Sequence, residues 1–248
     1  SELARTIARY AMECLGHREF AVLAPRTPYG ETISSAFVDE VERGGGTLLG
    51  VEQYEEGLPD YKKHFETLRL KGYKLLRERR LIAAGVEDLS DRGGAKARTA
   101  YLADSVITVD AVLIAASTPG DAIQLGSQTI FNKINTQLLG TSGWYGAELL
   151  KSGRKIMEGS IFSSDFLERS DDPTFVKFFN AYQKRWAMAP GLDRVAGLSY
   201  DAVRFVLYAN KKPGDALVSK MRSVGRIPGV YGDLFLDPKS GSNQNIHL

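Results

Sequence analysis

The feature that most constrains the fold of this chain is a regular alternation of short apolar runs with amphipathic segments. The run Phe20–Ala24 is uninterruptedly apolar, which is typical of a strand buried on both faces of a sheet. Similar runs follow at 47–51, 111–115, 137–140 and 159–162. Segments with helical spacing of apolar residues alternate with them, at 3–15, 33–41, 60–70, 121–131 and 147–151. This alternation predicts an α/β fold, a parallel sheet flanked by helices on both faces.

The same alternation predicts where a ligand binds. In sheets of this kind, ligands lie beyond the carboxyl ends of the strands. Three loops follow predicted strands at that edge, at 25–30, 116–120 and 141–145. We expect these loops to share one rim of the sheet.

The pattern changes along two parts of the chain. Residues 71–109 fit the alternation least well, since a basic stretch is followed by a polar stretch that contains glycine. This pattern predicts a long, mobile surface insertion between a helix and the strand at 111–115. After Asp172, three predicted helices follow without an intervening strand, at 175–186, 198–207 and 216–222. A closing hairpin is predicted from Gly229 onward, with a turn at 237–241.

Composition excludes several classes of function. A net charge of +2 implies no general attraction to nucleic acid. No run of about 18 apolar residues occurs, so we expect no transmembrane segment. The first residues lack the apolar core of an export signal, so we expect that any such signal was removed or never included. The single cysteine, Cys14, lies on the apolar stripe of the first helix and is expected to fill the core.

No pattern of catalytic or metal-binding residues is present. The histidines, His17, His64 and His247, are isolated from one another and from any cysteine at ligand spacing, so we expect no metal site. The glycines at 44–46 follow a helix and precede a strand, the reverse of a phosphate loop, and indicate a helix stop. A Gly-x-Ser-x-Gly motif does not occur. The sequence predicts neither catalytic residues nor a cofactor, and hence no enzyme.

Several segments, in their order and spacing, resemble a known family, the leucine/isoleucine/valine-binding type of periplasmic binding protein with the type I fold. The resemblance covers nearly the whole chain except 71–109. The segments that carry the resemblance are PYG at 28–30, DAVLIAASTP at 110–119, QLLGTSGWYGAELL at 137–150, GRKIMEGSIFSSDF at 153–166, SYDAV at 199–203 and GVYGDLFLDP at 229–238.

The resemblance implies a division into lobes. Residues 1–165 would form the α/β ligand-binding lobe two, and residues 166–228 would be helices belonging to lobe one. Residues 229–248 would be a terminal hairpin returning to lobe two. Because the chain starts inside that architecture, the first lobe is expected to be incomplete.

The resemblance also places ligand contacts on the three loops. Tyr29 matches a family tyrosine that faces the cleft, although a turn tyrosine packed on its neighbours is the alternative. Ser117 or Thr118 falls where amino-acid receptors place another cleft residue. Ser142 falls where they place an acid that pairs with the ligand's ammonium group, and a serine cannot neutralise that charge, which argues against binding of branched-chain amino acids. Trp144 offers either a stacking surface or buried packing.

Two functions follow as expectations. The first is an extracytoplasmic solute-binding receptor whose lobes close around a small polar ligand, amino-acid-like or amide-like, and which signals to the membrane permease of an ABC transporter. The second is an envelope lipoprotein module that activates a cell-wall synthase, because the GTSGW turn at 140–144 and the long insertion also resemble the penicillin-binding-protein activators. Either function implies a location in the periplasm or on the outer face of the membrane, with a lipid anchor in the second case. The basic run 69–80 is a solvated helix face or a docking surface for an acidic partner.

Overall fold

The computed structural model describes residues 1–83, 107–166, 171–190, 195–211, 216–239, 241 and 243–248. These residues form two compact units. The first comprises Ser1–Ser163 together with Leu248, and the second comprises Ser164–His247. Among the described residues, no helix combines the length and the apolarity that crossing a bilayer requires.

The first unit is built on a five-stranded sheet in which every neighbouring pair is parallel. Its strands lie in the order β2-β1-β3-β4-β5. They are β1 (Glu19–Pro25), β2 (Thr47–Tyr54), β3 (Ile107–Ile114), β4 (Ile134–Gly140) and β5 (Ile161–Phe162). Each predicted apolar run therefore contains a strand, and the predicted parallel sheet is confirmed.

Helices pack on both faces of this sheet, as the sequence predicts. They are α1 (Glu2–Glu13), α2 (Pro28–Arg43), α3 (Lys62–Ala83), α4 (Pro119–Phe131) and α5 (Ala147–Lys151). Successive side chains of a strand point to opposite faces, and β1 accordingly divides its residues between two apolar clusters. Phe20 and Val22 join the cluster that contains Ile7 of α1 and Phe37 of α2. Ala21 and Leu23 join the opposite cluster, with Phe65 of α3 and Leu125 of α4.

Three boundaries in the first unit differ from prediction. Helix α3 continues to Ala83 and β3 begins at Ile107, so the two ends of the predicted insertion 71–109 belong to regular elements and its remainder lies outside the described residues. Strand β2 continues to Tyr54, three residues beyond its predicted end. The prediction for Cys14 is wrong, since the residue is exposed. Helix α1 ends at Glu13, and Cys14 therefore leaves the buried face of the helix.

The second unit contains helices without a described sheet. They are α6 (Pro173–Trp186), α7 (Val195–Asn210) and α8 (Leu217–Arg222), as predicted. The predicted closing hairpin is reduced to isolated antiparallel bridges, which join Ile227 to Leu234, Leu236 to Asn243 and Ser164 to His247. The terminal segment from Gly229 to His247 groups with this unit by its contacts. The assignment of the two units to the family's lobes stays a prediction.

A buried carboxylate joins α7 to the terminal segment of the second unit. Asp201 is 2% exposed. It accepts a hydrogen bond from the Val230 backbone N–H at 2.6 Å and one from the Arg204 guanidinium at 3.2 Å. Burial nevertheless raises the pKa of Asp201, because desolvation of the charged form outweighs these two hydrogen bonds.

We expect Asp201→Asn and Asp201→Ala to separate hydrogen bonding from charge. The asparagine keeps an acceptor for Val230 and should change the free energy of unfolding by less than about 1 kcal/mol, whereas the alanine leaves a buried N–H unpaired and should lower it by about 1–3 kcal/mol. Since the folded-state pKa is raised, the carboxyl group stabilises the fold most when protonated, and this contribution is lost as the pH rises through that pKa.

Urea denaturation at about pH 4 and about pH 7 measures both effects. The stability of the wild type relative to Asp201→Asn should fall between these two pH values. An asparagine variant as damaged as the alanine variant at pH 7 would contradict this account of Asp201.

Candidate functional site at the carboxyl edge of the sheet

Three turns meet at one edge of the sheet. They follow β1, β3 and β4, which are neighbours and run parallel, so the predicted shared rim is confirmed. The turns after β1 and β3 have the same construction. Thr27 and Thr118 accept a hydrogen bond from a backbone N–H in the first turn of α2 and α4, respectively, and each is followed by a proline at the start of its helix.

Tyr29 connects the turn after β1 to the turn after β4. Its hydroxyl lies 2.6 Å from that of Thr141, with which it forms a hydrogen bond. Because β3 lies between these two strands, the contact passes over the end of β3, where Ala115 and Ala116 are fully buried. Thr141 is itself fully buried, whereas Tyr29 is half-buried. The tyrosine therefore joins two turns of the rim and is itself partly exposed to solvent.

Both hydroxyls of the β3 turn donate to carboxylates. The exposed Ser117 donates to Glu56, with 2.6 Å between the two oxygens. Thr118 donates to Asp121 at 2.8 Å and accepts from the backbone N–H of the same residue at 3.2 Å. Since a hydroxyl has only one proton to donate, Ser117 and Thr118 offer a ligand only their acceptor lone pairs.

The turn after β4 places Ser142 and Trp144 differently. Ser142–Trp144 forms a short 3-10 turn, in which Ser142 is half-buried and its side chain makes no hydrogen bond within the described residues. Trp144 is fully buried, and its indole N–H donates to the carbonyl of Ile114 at 2.9 Å. Of the two alternatives for Trp144, this geometry favours packing. The indole packs in the core below the turn and is not available for stacking on a ligand.

Residues after β2 also reach this edge, and the sequence analysis missed them. Glu56 follows the end of β2 by two residues and contacts the β3 turn. Tyr54, the last residue of β2, packs edge-to-face against Tyr61 with ring centroids 5.1 Å apart. Its hydroxyl is buried without a hydrogen-bond partner among the described residues, and burial raises the pKa of this phenol. The available signal was the polar sequence Glu-Gln-Tyr-Glu-Glu at 52–56, which would have identified a fourth strand end.

A second concave feature meets these turns only at Arg26. A groove of about 600 Å³ beside β2 and α3 is lined by Arg26, Val51, Glu52, Gln53, Lys63, His64 and Thr67. None of the predicted contact residues lines it, so it is not the predicted site. In the part of the chain that the structure describes, no group of three or more His, Cys, Asp or Glu side chains is arranged to hold a metal ion.

The sequence as a whole matches one family model. The model is that of the periplasmic binding proteins, and it matches residues 1–247. No protein with a curated description is significantly similar in sequence.

Solved structures of binding proteins have the same fold. The leucine-binding protein LivK of Thermotoga maritima is 17% identical, with a TM-score of 0.65 over 99% of this chain and 60% of its own. A putative branched-chain amino acid ABC transporter protein of Rhodospirillum rubrum is 20% identical, with a TM-score of 0.69 over 98% and 60%. A solute-binding protein of Rhodopseudomonas palustris, in complex with 3,4-dihydroxybenzoic acid, is 18% identical, with a TM-score of 0.62 over 99% and 59%. The chain thus spans about 60% of the length of these structures, and the predicted fold class is confirmed.

The backbone of the β4 turn at Gly143 lies close to the backbone of the β3 turn. A substitution at Gly143 tests whether this close approach stabilises the first unit. A methyl group at this position would lie 2.2 Å from the carbonyl oxygen of Ala116. We expect Gly143→Ala to lower the free energy of unfolding of the first unit by about 1–3 kcal/mol, because neither backbone can move away cheaply. In a Trp186→Phe background, Trp144 is the remaining tryptophan, and its fluorescence during urea denaturation reports on this unit.

Gly120→Ala is the matched control on the same rim. A methyl group there would meet its nearest neighbour, Glu148, at 3.6 Å, an ordinary contact. Because Gly120 lies in the first turn of α4, alanine should leave stability unchanged or raise it. Equal stability of the two variants would show that the approach at Gly143 does not matter.

Proposed function

The chain belongs to the periplasmic binding protein family, and on that premise we propose that it forms the ligand-binding part of an extracytoplasmic receptor for a small polar molecule. The family implies a location outside the cytoplasm. The observation that carries the proposal is the hydrogen bond between Tyr29 and Thr141, which spans the end of β3 and joins two turns into one rim. In parallel α/β sheets this edge is where ligands bind.

The rim supplies the groups that such recognition needs. Tyr29 provides a flat apolar ring with a polar end on a side chain that loses little entropy on binding. Ser117, Thr118 and Ser142 provide small polar groups around it, and Trp144 supports the turn from which Ser142 projects. Since Gly143 allows the β3 and β4 turns to touch, these side chains belong to one surface. We propose Tyr29, Ser117, Thr118 and Ser142 as ligand contacts.

The relatives suggest two kinds of ligand. One of the solved structures is a leucine-binding protein, and another holds 3,4-dihydroxybenzoic acid. An amino-acid-like or amide-like molecule is the ligand that we propose, because the hydroxyl-rich rim suits a ligand with several hydrogen-bonding groups. Delivery of this molecule to the permease of an ABC transporter is the proposed role.

A ligand screen tests this function. The full-length protein is mixed with single amino acids and small amides, and its melting temperature is measured. A ligand at about 100 times its dissociation constant adds about 2.7 kcal/mol to the stability of the folded state. For a domain of about 150–250 residues, that corresponds to an increase of about 5 to 10 °C. If no compound raises the melting temperature, while a cell-wall synthase retains the protein in a pull-down, the receptor function is wrong and the activator alternative replaces it.

Tyr29 can be tested with any compound that the screen identifies. We expect Tyr29→Ala to weaken binding by more than about 1 kcal/mol, because the ring and its hydrogen bond are both removed. Tyr29→Phe keeps the ring and should have a smaller effect. Titration calorimetry measures both, with Ser35→Ala on the exposed side of α2 as the control. Unchanged affinity in Tyr29→Ala would remove this residue from the site.

A further inference from the structure

Strand β2 has one unpaired edge in the described part of the chain. It is the outermost strand of the sheet and pairs with β1 alone. The carbonyl of Tyr54 accepts a hydrogen bond from the Arg26 backbone N–H, so the N–H and C=O of Tyr54 point towards β1. Because these groups point to opposite sides in successive residues of a strand, those of Val51 and Gln53 point away from the sheet. A further strand can pair with them there.

The groove of about 600 Å³ lies at this open edge. Strand β2 contributes Val51 and Gln53 to its lining, the same residues whose backbone groups point outwards, and α3 contributes Lys63, His64 and Thr67. Peptides that add a strand to a sheet need an exposed strand edge together with space for their side chains. The groove provides both.

The charges of the groove favour an acidic occupant. The acid among its lining residues, Glu52, is already paired, since its carboxylate accepts a hydrogen bond from Lys71 and lies 3.9 Å from the His64 ring. Lys63 is exposed and forms no hydrogen bond or ion pair within the described residues. Lys63 and Lys71 are eight residues apart and therefore lie on the same face of α3. The groove thus keeps a cation that its own acid does not neutralise.

The same cations argue against a second copy of this chain as the occupant. Lysines at an open edge deter pairing with an edge of like charge, and another copy of β2 would bring its own Lys63 and Arg26. An acidic segment meets no such repulsion. Its carboxylates can pair with Lys63, and they can replace the exposed Glu55, which lies 3.8 Å from Arg26.

We propose that the open edge of β2 binds an acidic, extended segment of a partner protein, which adds to the sheet as a further strand. The backbone groups of Val51 and Gln53 hold the main chain of this segment, and Lys63 selects its charge. Lys71, from the basic run 69–80, contributes by neutralising Glu52. None of the predicted ligand contacts lines the groove, so this interaction goes beyond the receptor function and does not depend on it.

Three peptides test the chemistry of the partner. The first is labelled with fluorescein and alternates glutamate with valine over about seven residues, the length of an ordinary strand. The second has lysine in place of glutamate, and the third is the acidic peptide with every backbone amide N-methylated. We expect the full-length protein to bind the first at least about tenfold more tightly than either of the others in fluorescence anisotropy. Raising the salt concentration from about 0.05 M to about 0.5 M should weaken this binding.

A matched pair of lysine variants tests the selection of charge. Lys63→Gln removes the unpaired cation of the groove and should weaken binding of the acidic peptide at least about fivefold. Lys62→Gln is the control, because Lys62 is an exposed neighbour that pairs with Glu66 and does not line the groove. It should change the affinity by less than about twofold.

A proline variant tests the addition of a strand. Gln53→Pro removes an N–H that β1 does not use, and an edge strand tolerates proline at such a position. We expect this variant to lose binding of the acidic peptide. Melting temperatures of the unliganded variants show that each is folded.

Several outcomes would overturn the proposal. They are no binding of the acidic peptide at about 1 mM, equal binding of the acidic and lysine peptides, and equal binding of the acidic peptide and its N-methylated form. Equal effects of Lys62→Gln and Lys63→Gln would also overturn it. All of these results leave the receptor function standing, since that function is judged by the screen of small molecules.

Discussion

The architecture of the first unit depends on the burial of β1 and β3 on both faces. Side chains that alternate along β1 enter two separate apolar clusters, so helices must cover both sides of the sheet. Parallel pairing then follows, because each strand is joined to the next through a helix that returns the chain to the same starting edge. The carboxyl ends of all the strands therefore lie at the same edge of the sheet. The position of the site is thus a consequence of how apolar surface is buried.

The rim depends in turn on small residues at the strand ends. Ala115 and Ala116 leave space above β3 through which Tyr29 reaches Thr141. Gly140 lies against the ring of Trp144, and Gly143 lies against the backbone of the β3 turn, where side chains would clash. Small residues at these points allow three turns to become one surface. Their packing role connects the local sequence directly to the geometry of the proposed site.

The sequence predicted the sheet well because uninterrupted apolar runs have few alternatives in a chain of this length. The prediction was poorer for the edge strand, whose side chains are mostly only partly buried. Strand β2 lies at the edge of the described sheet and ends in polar residues, so its end at Tyr54 was missed, and Glu56 with it. The four hydroxyl-bearing residues predicted as contacts do lie on the turns, but the partners of Ser117 and Thr118 were not predictable, because they depend on side-chain positions in three dimensions. Trp144 was placed in the correct turn, and only the structure assigns it to the core.

The net charge of the chain says little about the charge of the rim. A value of +2 describes a nearly neutral molecule, yet the carboxylates of Glu56 and Asp121 lie together at one edge without ion-pair partners in the described part of the chain. Recognition responds to this local field, since interactions at a few ångströms exceed the screened contribution of distant charges. Ser117 and Thr118 direct their protons into these carboxylates, so both hydrogen bonds stay within the rim. The net charge of a chain is therefore a poor guide to the electrostatics of any one of its surfaces.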